Sequence, residues 1–172
     1  ELIEKGLEID SNSITGQILL LKTLSGDEIK NRITDFSLFK DKRSEAQEII
    51  AQKLMPYDPE LGLEFLDLNN PKHFILISQC FFETKNFPDS LLFANKFIYS
   101  NPRKIEGFLN GGWILVEMED FDEASNFFDI ALGIDKLSPE AIYGKGLVLK
   151  KKGEDYGVYQ TLLSQIDKEL II

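Results

Sequence analysis

The sequence predicts an all-α fold built from antiparallel helical hairpins. Three observations support this prediction. Apolar residues recur at helical spacing along most of the 172 residues, short polar turns separate the apolar segments, and the pattern repeats after about 34 residues. Because no segment requires a β-strand to explain its pattern, we expect helices throughout.

The helices can be placed one by one. Upstream, apolar periodicity predicts helices at about 14–24, 27–40, 43–55 and 58–68, separated by SGD, KDK and PYDP. Downstream, a capping residue followed by proline predicts helix starts at Asn70-Pro71, Asn101-Pro102 and Ser138-Pro139, because proline suits the first helical turn. Polar turns at 83–89, 117–123 and 151–157 are long enough to reverse one helix onto the next.

Composition and charge disfavour several function classes. The chain is 43% hydrophobic, enough to bury a core, and it carries 19 basic against 29 acidic residues. The net charge of −10 would repel a phosphate backbone, so we expect neither nucleic acid nor an anionic membrane as a partner. The longest apolar runs, at 18–21 and 74–77, are far shorter than the roughly 20 residues that span a bilayer.

Cysteine usage and the titratable residues also bear on function. The lone Cys80 cannot form an internal disulfide and no signal peptide precedes the first helix, which predicts a reducing, cytoplasmic location. The only histidine, His73, is on the same predicted helix roughly 10 Å away along the axis, too far to act as its base. We therefore expect a packed, unreactive Cys80 and no catalytic residue, metal or cofactor.

Glycines inside the predicted helices indicate close packing rather than ligand binding. Gly111, Gly112, Gly144 and Gly146 follow no strand, so they do not form a phosphate-binding loop. The acidic residues between 117 and 123 lack the spacing and central glycine of a calcium loop. We interpret them as a solvated turn before a helix N-terminus, where acidic side chains are favoured.

The internal repeat is visible when the chain is shifted by about 34 residues. The shift aligns Phe74 with Phe108, Ser78 with Gly112 and Gly146, Phe81 with Leu115 and Leu149, and Phe87 with Phe121. It also aligns Ala94 with Phe128 and Phe97 with Ala131. One repeat thus has a small residue before a large one, and the next has a large residue before a small one. The exchange keeps the total side-chain volume that interdigitated helices need.

This pattern resembles the tetratricopeptide repeat family, whose 34-residue helix-turn-helix unit carries bulky and small residues at fixed offsets. Phe121 resembles the aromatic residue of the turn, Ala124 the small contact between the two helices, and Phe128 and Ala131 the face turned into the next repeat. The resemblance is best over residues 71–150. It implies a right-handed superhelical solenoid in which degenerate hairpins at 1–70 are followed, in one continuous array, by repeats at about 71–104, 105–138 and 139–172.

The first helix of each repeat is expected to line a concave groove. On the helix at 102–118 the predicted core stripe is Phe108, Gly112 and Leu115, and an offset apolar stripe contains Leu109, Trp113 and Val116. The partner-binding residues predicted from such positions are Ile75, Gln79, Phe82, Leu109, Asn110, Trp113, Val116, Tyr143 and Leu147. The alternative is that Trp113 packs on a neighbouring helix.

The sequence therefore predicts a protein-protein interaction scaffold that binds a partner peptide or helix in this groove and has no catalysis of its own. Members of the family that clamp the terminal carboxylates of chaperone peptides use cationic residues, but Ile75, Glu140 and Gly144 stand at those positions, so that role is disfavoured. Two alternatives remain open. One is a non-catalytic helical-repeat domain of a larger enzyme or transferase, and the other is a helical RNA reader, against which the acidic balance argues.

The two ends of the sequence carry further expectations. Because the first residue is Glu1 rather than methionine, we expect the N-terminus to be processed or cut from a longer chain. The final segment, TLLSQIDKELII, has more apolar residues than one buried stripe requires. We expect a further segment, a partner protein or self-association through the C-terminal helix to cover them.

Overall fold

All regular structure in the computed structural model, which describes residues 14–32 and 44–166, is helical. The all-α prediction is therefore confirmed for these ranges. The helices, in chain order, are α1 (Ile14–Thr23), α2 (Gly26–Asn31), α3 (Ser44–Leu54), α4 (Pro59–Leu63), α5 (Phe74–Glu83), α6 (Phe87–Ser100), α7 (Ile105–Glu117), α8 (Phe121–Ile134), α9 (Pro139–Lys152) and α10 (Gly157–Ile166).

The chain divides into two compact units, Glu1–Thr84 and Lys85–Ile172. In the first unit, α3 packs against α1, α2, α4 and α5. Its apolar core contains Leu20, Leu21, Leu24, Ile29, Ala46, Ile50, Leu54 and Phe65. The division at 84/85 differs from the predicted one at 70/71, and the repeat boundaries stay a prediction.

Polar contacts fix the ends of the short helices in the first unit. At the start of α2, the Ser25 hydroxyl accepts the Glu28 N–H at 3.3 Å and the Glu28 carboxylate accepts the Ser25 N–H at 2.8 Å. This reciprocal pair satisfies two amides that have no partner inside the helix. At the end of α1, the Lys53 ammonium donates to the carbonyls of Lys22 and Leu24. These contacts hold the tight turn between α1 and α2. They also stabilise α2, which has only six residues.

Two upstream helix predictions need correction or lie partly outside the described residues. The helix expected at 27–40 is present as α2 up to Asn31, and positions 33–43 lie outside the described ranges. The helix expected at 58–68 was predicted too long, because α4 ends at Leu63. Beyond it, the amides of Phe65 and Leu66 bond to carbonyls three residues back, and both side chains are buried. Both residues therefore enter the core from a tighter turn that follows the helix.

Two of the three proline-marked helix starts were also wrong. The Asn70 and Asn101 carbonyls accept the N–H groups of His73 and Lys104 at 2.9 and 3.0 Å, so each proline lies in a turn before the helix. α5 and α7 therefore begin three residues after Pro71 and Pro102. The third start is confirmed, since the Ser138 hydroxyl accepts the Ala141 N–H at 3.3 Å and Pro139 is the first residue of α9.

The second unit is a succession of antiparallel hairpins. α7 packs against α6 and α8, α9 packs against α8 and α10, and α7 also contacts α9. The buried core of this unit contains Phe108, Leu109, Leu115, Ala124, Phe128, Ala131, Ala141 and Val148. The predicted core stripe of α7, which includes Phe108, Gly112 and Leu115, is buried as expected.

Phe128 of α8 occupies the centre of this core. Its side chain has no exposed surface. A Cβ atom added at Gly112 of α7 would lie 2.8 Å from the Phe128 ring, and one added at Gly144 of α9 would lie 2.4 Å from it. The ring therefore fills space that the two glycines leave open, and these glycines serve helix packing as predicted. Gly111 does the same for Phe127, at 2.4 Å.

The exchange of small and large residues between repeats has a structural counterpart. In α6 the small residue is Ala94 and the large one is Phe97, and both are buried. The Phe97 ring packs close to Gly107 of α7, where an added Cβ would lie 2.9 Å away. In both α6 and α8 a phenylalanine thus meets a glycine of a neighbouring helix, although the phenylalanine sits at different repeat positions.

The turns within the hairpins show the repeat in the backbone itself. Lys85, Glu119 and Gly153 have positive φ angles of 59°, 60° and 74°, and they are spaced 34 residues apart in the sequence. After α7 the Asp120 N–H bonds to the Leu115 carbonyl at 2.9 Å, and after α9 the Glu154 N–H bonds to the Leu149 carbonyl at 2.9 Å. This left-handed C-terminal cap normally favours glycine, which only the third turn has.

We expect Gly144→Ala to lower the free energy of unfolding by about 1–3 kcal/mol, because the new methyl group overlaps the Phe128 ring. Gly133→Ala is the matched control, since nothing lies within 4 Å of a Cβ at that exposed helical position. It should raise stability by about 0.5–1 kcal/mol through the helix propensity of alanine. Chemical denaturation measures both. Equal midpoints for Gly144→Ala and wild type would contradict the close contact between α8 and α9.

We expect Glu119→Gly to be more stable than Glu119→Ala by about 1 kcal/mol, because a left-handed conformation is costly for any residue with a Cβ. At Asn126, an exposed position within α8, the order should reverse, with alanine more stable than glycine by about 1 kcal/mol. Thermal or urea unfolding of the four variants provides the comparison. Alanine being the more stable residue at both positions would show that residue 119 is not left-handed in solution.

Candidate functional site

The candidate binding surface of the second unit is formed by one stripe each from α7 and α9. The stripe on α7 contains Glu106, Asn110, Trp113 and Glu117, and the stripe on α9 contains Glu140, Gly144, Leu147 and Lys151. The four positions correspond pairwise at the repeat spacing and follow a helical period of four, three and four residues. Charged residues at both ends are exposed, while Asn110, Trp113 and Leu147 are half-buried.

Trp113 joins the two helices of this surface. Its ring centroid lies 5.9 Å from that of Tyr143 on α9, with the ring planes inclined by 38°. It also packs edge to face against Phe128, at 5.2 Å between centroids. The indole N–H donates to a carboxylate oxygen of Glu140 at 2.9 Å. Trp113 is therefore held by three neighbours and still keeps part of its ring exposed.

The structure brings some of the residues predicted to bind a partner together and separates others. Asn110, Trp113, Tyr143 and Leu147 are half-buried on the α7 and α9 stripes or directly beside them. Leu109, in contrast, is only 8% exposed and belongs to the core. The sequence put it on the open stripe because it follows Phe108 of the predicted core stripe by one residue, but it is buried in the second unit instead.

The remaining predicted residues are also partly buried. Val116 packs against the core of the second unit with part of its surface exposed. Ile75, Gln79 and Phe82 lie on α5 of the first unit, and each is half-buried there. The candidate surface described here therefore comprises residues of the second unit alone.

Cys80 and His73 of the first unit are both completely buried. Burial raises the pKa of the Cys80 thiol to about 12, which disfavours the reactive thiolate. Burial also lowers the pKa of His73, although Glu48 and Asp67 partly oppose the shift. The Asp67 N–H donates to His73 Nδ1 at 2.8 Å, so this ring nitrogen accepts a hydrogen bond from the loop before α5. Both residues are thus integrated into the packing of the first unit.

Among residues 14–32 and 44–166, no three His, Cys, Asp or Glu side chains are grouped so that they could hold a metal ion. None of the helices in these ranges has the length and apolar character needed to cross a membrane.

Sequence analysis did not predict the polar contacts of two residues, Glu140 and Lys145. Glu140, considered there only as an unsuitable clamp residue, is the hydrogen-bond partner of Trp113. Lys145 of α9 is buried, and its ammonium donates to the Ser125 hydroxyl at 2.6 Å and to the Asp129 carboxylate at 2.5 Å. Lys145 occupies the repeat position of Gly111. The sequence hinted at its contacts only through the polar residues on α8.

Comparison with known proteins identifies the fold. No protein-family model and no curated protein matches the chain. Among solved structures, MamA from AMB-1 has a TM-score of 0.66 and 14% identity, with 88% of this chain and 93% of MamA covered. YrrB, a TPR protein with an unusual peptide-binding site, has a TM-score of 0.65 and 14% identity, with 98% and 94% covered. PilF of Pseudomonas aeruginosa has a TM-score of 0.55 and 17% identity, with 95% and 65% covered.

At these identities the likeness concerns the fold, and it agrees with the resemblance carried by the repeat residues of the sequence. The fold of this chain is that of the tetratricopeptide-repeat proteins.

Proposed function

We propose that the chain is a protein-interaction scaffold that binds a segment of a partner protein on the α7–α9 surface and performs no catalysis of its own. The observation that carries the proposal is the partly exposed aromatic pair of Trp113 and Tyr143, which lies on the helices that correspond to the first helix of each repeat. In stacked helical hairpins this side is the one available to a ligand. We further propose that the protein acts in the cytoplasm.

The chemistry of the surface suits a peptide with both apolar and polar side chains. Trp113, Tyr143 and Leu147 provide apolar surface that stays partly exposed, and Glu106 and Glu140 provide charge at one end. Aromatic residues of this kind contribute large contact areas at low entropic cost, and they dominate many protein interfaces. Because Phe128 supports Trp113 from below, the ring is already positioned before a partner binds.

The partner-binding set proposed here is narrower than the set predicted from sequence. It comprises Asn110, Trp113, Val116, Tyr143 and Leu147, and it leaves out the buried Leu109. Ile75, Gln79 and Phe82 stay a separate proposal for α5 of the first unit. The existence of a peptide-binding site in YrrB supports the proposal by analogy of fold, which by itself does not assign a function.

We expect Leu147→Ala to weaken partner binding roughly tenfold, because it removes apolar contact worth about 1.4 kcal/mol. Ligands for the test are dodecapeptides selected from a random phage-displayed library on the immobilised wild-type chain. Their affinities can be measured by the anisotropy of a fluorescein label. Ile130→Ala is the matched control, since Ile130 is an apolar residue of α8 that is 47% exposed and outside the proposed surface.

The control should leave the affinity within twofold of wild type. Thermal unfolding of both variants shows whether they are equally folded. Selected peptides that bind Leu147→Ala and wild type equally well would refute the proposed location of the site.

A further inference from the structure

The end of the binding surface near the first turn of α9 combines aromatic rings with a carboxylate. Trp113 and Tyr143 lie beside each other, and the carboxylate of Glu140 accepts a hydrogen bond from the indole N–H. Glu106, one repeat before Glu140, is exposed on the neighbouring helix. Cations are attracted both to aromatic faces and to carboxylates, so this combination favours a positively charged group.

Resting on the proposed function, we propose that this end of the surface recognises an arginine side chain of the partner segment. The guanidinium stacks on the Trp113–Tyr143 pair and forms an ion pair with Glu140. The proposal concerns a protein partner with a basic residue within an apolar segment, which is complementary to a chain of net charge −10.

Glu140 is suited to this role by its position. Its side chain is exposed, and the indole N–H of Trp113 at 2.9 Å holds the carboxylate next to the aromatic pair. An ionised carboxylate can accept several hydrogen bonds, and a single indole N–H uses one of them. The carboxylate thus retains acceptor capacity for the two parallel N–H groups of a guanidinium.

Three lysines of the second unit are directed away from this end of the surface. The Lys145 ammonium binds Ser125 and Asp129 on α8, and the Lys104 ammonium lies 5.8 Å from the centre of the Phe97 ring. Lys151 lies at the opposite end of the α9 stripe.

The geometry favours arginine over lysine. A guanidinium is planar, so it can stack on an aromatic ring and donate two hydrogen bonds to a carboxylate at the same time. An ammonium is a compact, strongly hydrated point charge that has neither a flat face to stack nor a fixed pair of parallel donors. The two rings, 5.9 Å apart and inclined by 38°, offer a surface for such a planar group.

The test compares the peptides selected from the random dodecapeptide library on wild type, on Glu140→Gln and on Glu123→Gln, an exposed position of α8 outside the proposed surface. Arginine should be enriched severalfold over its library frequency on wild type and on Glu123→Gln, and the enrichment should disappear on Glu140→Gln. Both variants remove one negative charge, so a general attraction of basic peptides to an acidic protein would affect them equally. Glutamine at position 140 keeps an oxygen that can accept the Trp113 N–H.

A second measurement uses the tightest wild-type peptide with its arginine replaced by citrulline, which has nearly the same shape but no charge. The replacement should weaken binding about tenfold for wild type and less than twofold for Glu140→Gln. Lysine and arginine enriched equally, or a citrulline effect of the same size in both proteins, would overturn the arginine inference. If those peptides still bind Leu147→Ala more weakly than wild type, the proposed function stands without the arginine inference. If no selected peptide depends on Leu147, both proposals fail.

Discussion

The insertion of the Phe128 ring between Gly112 and Gly144 is the contact on which the second unit depends. A ring with no exposed surface needs close-packed neighbours, and a Cβ at either glycine would enter the space that it fills. The ring thereby sets how closely α8 approaches α7 on one side and α9 on the other. Because this one side chain packs against both α7 and α9, any change in its volume alters the packing of two helix interfaces at once.

The candidate binding surface is a consequence of this packing. Trp113 directly follows Gly112 in the sequence, and Tyr143 directly precedes Gly144. Because both glycines approach the same ring, the two adjacent aromatic residues are brought to 5.9 Å from each other. Trp113 contacts Phe128 as well, so the surface is supported directly by the core. Such support keeps a binding residue in place before the partner arrives, which reduces the entropic cost of binding.

The repeats keep a common backbone while their side chains diverge. Left-handed residues recur at 85, 119 and 153, although only the last of them is a glycine. At the position where one repeat has Gly111 beside Phe127, the next has Lys145 bound to Ser125 and Asp129. A buried ammonium is tolerated there because a hydroxyl and a carboxylate accept hydrogen bonds from it.

The sequence by itself determined the helical class, the repeat spacing, the packing role of the glycines and the burial of Cys80, because these follow from local periodicity and composition. The helix starts predicted at Pro71 and Pro102 were wrong, because proline fits a turn that precedes a helix as well as the first position of a helix. Tertiary structure alone decided the burial of Leu109 and the pairing of Trp113 with Glu140, 27 residues away. A side chain's pattern along its own helix predicts which way it faces, but the residue opposite it depends on how separate helices pack.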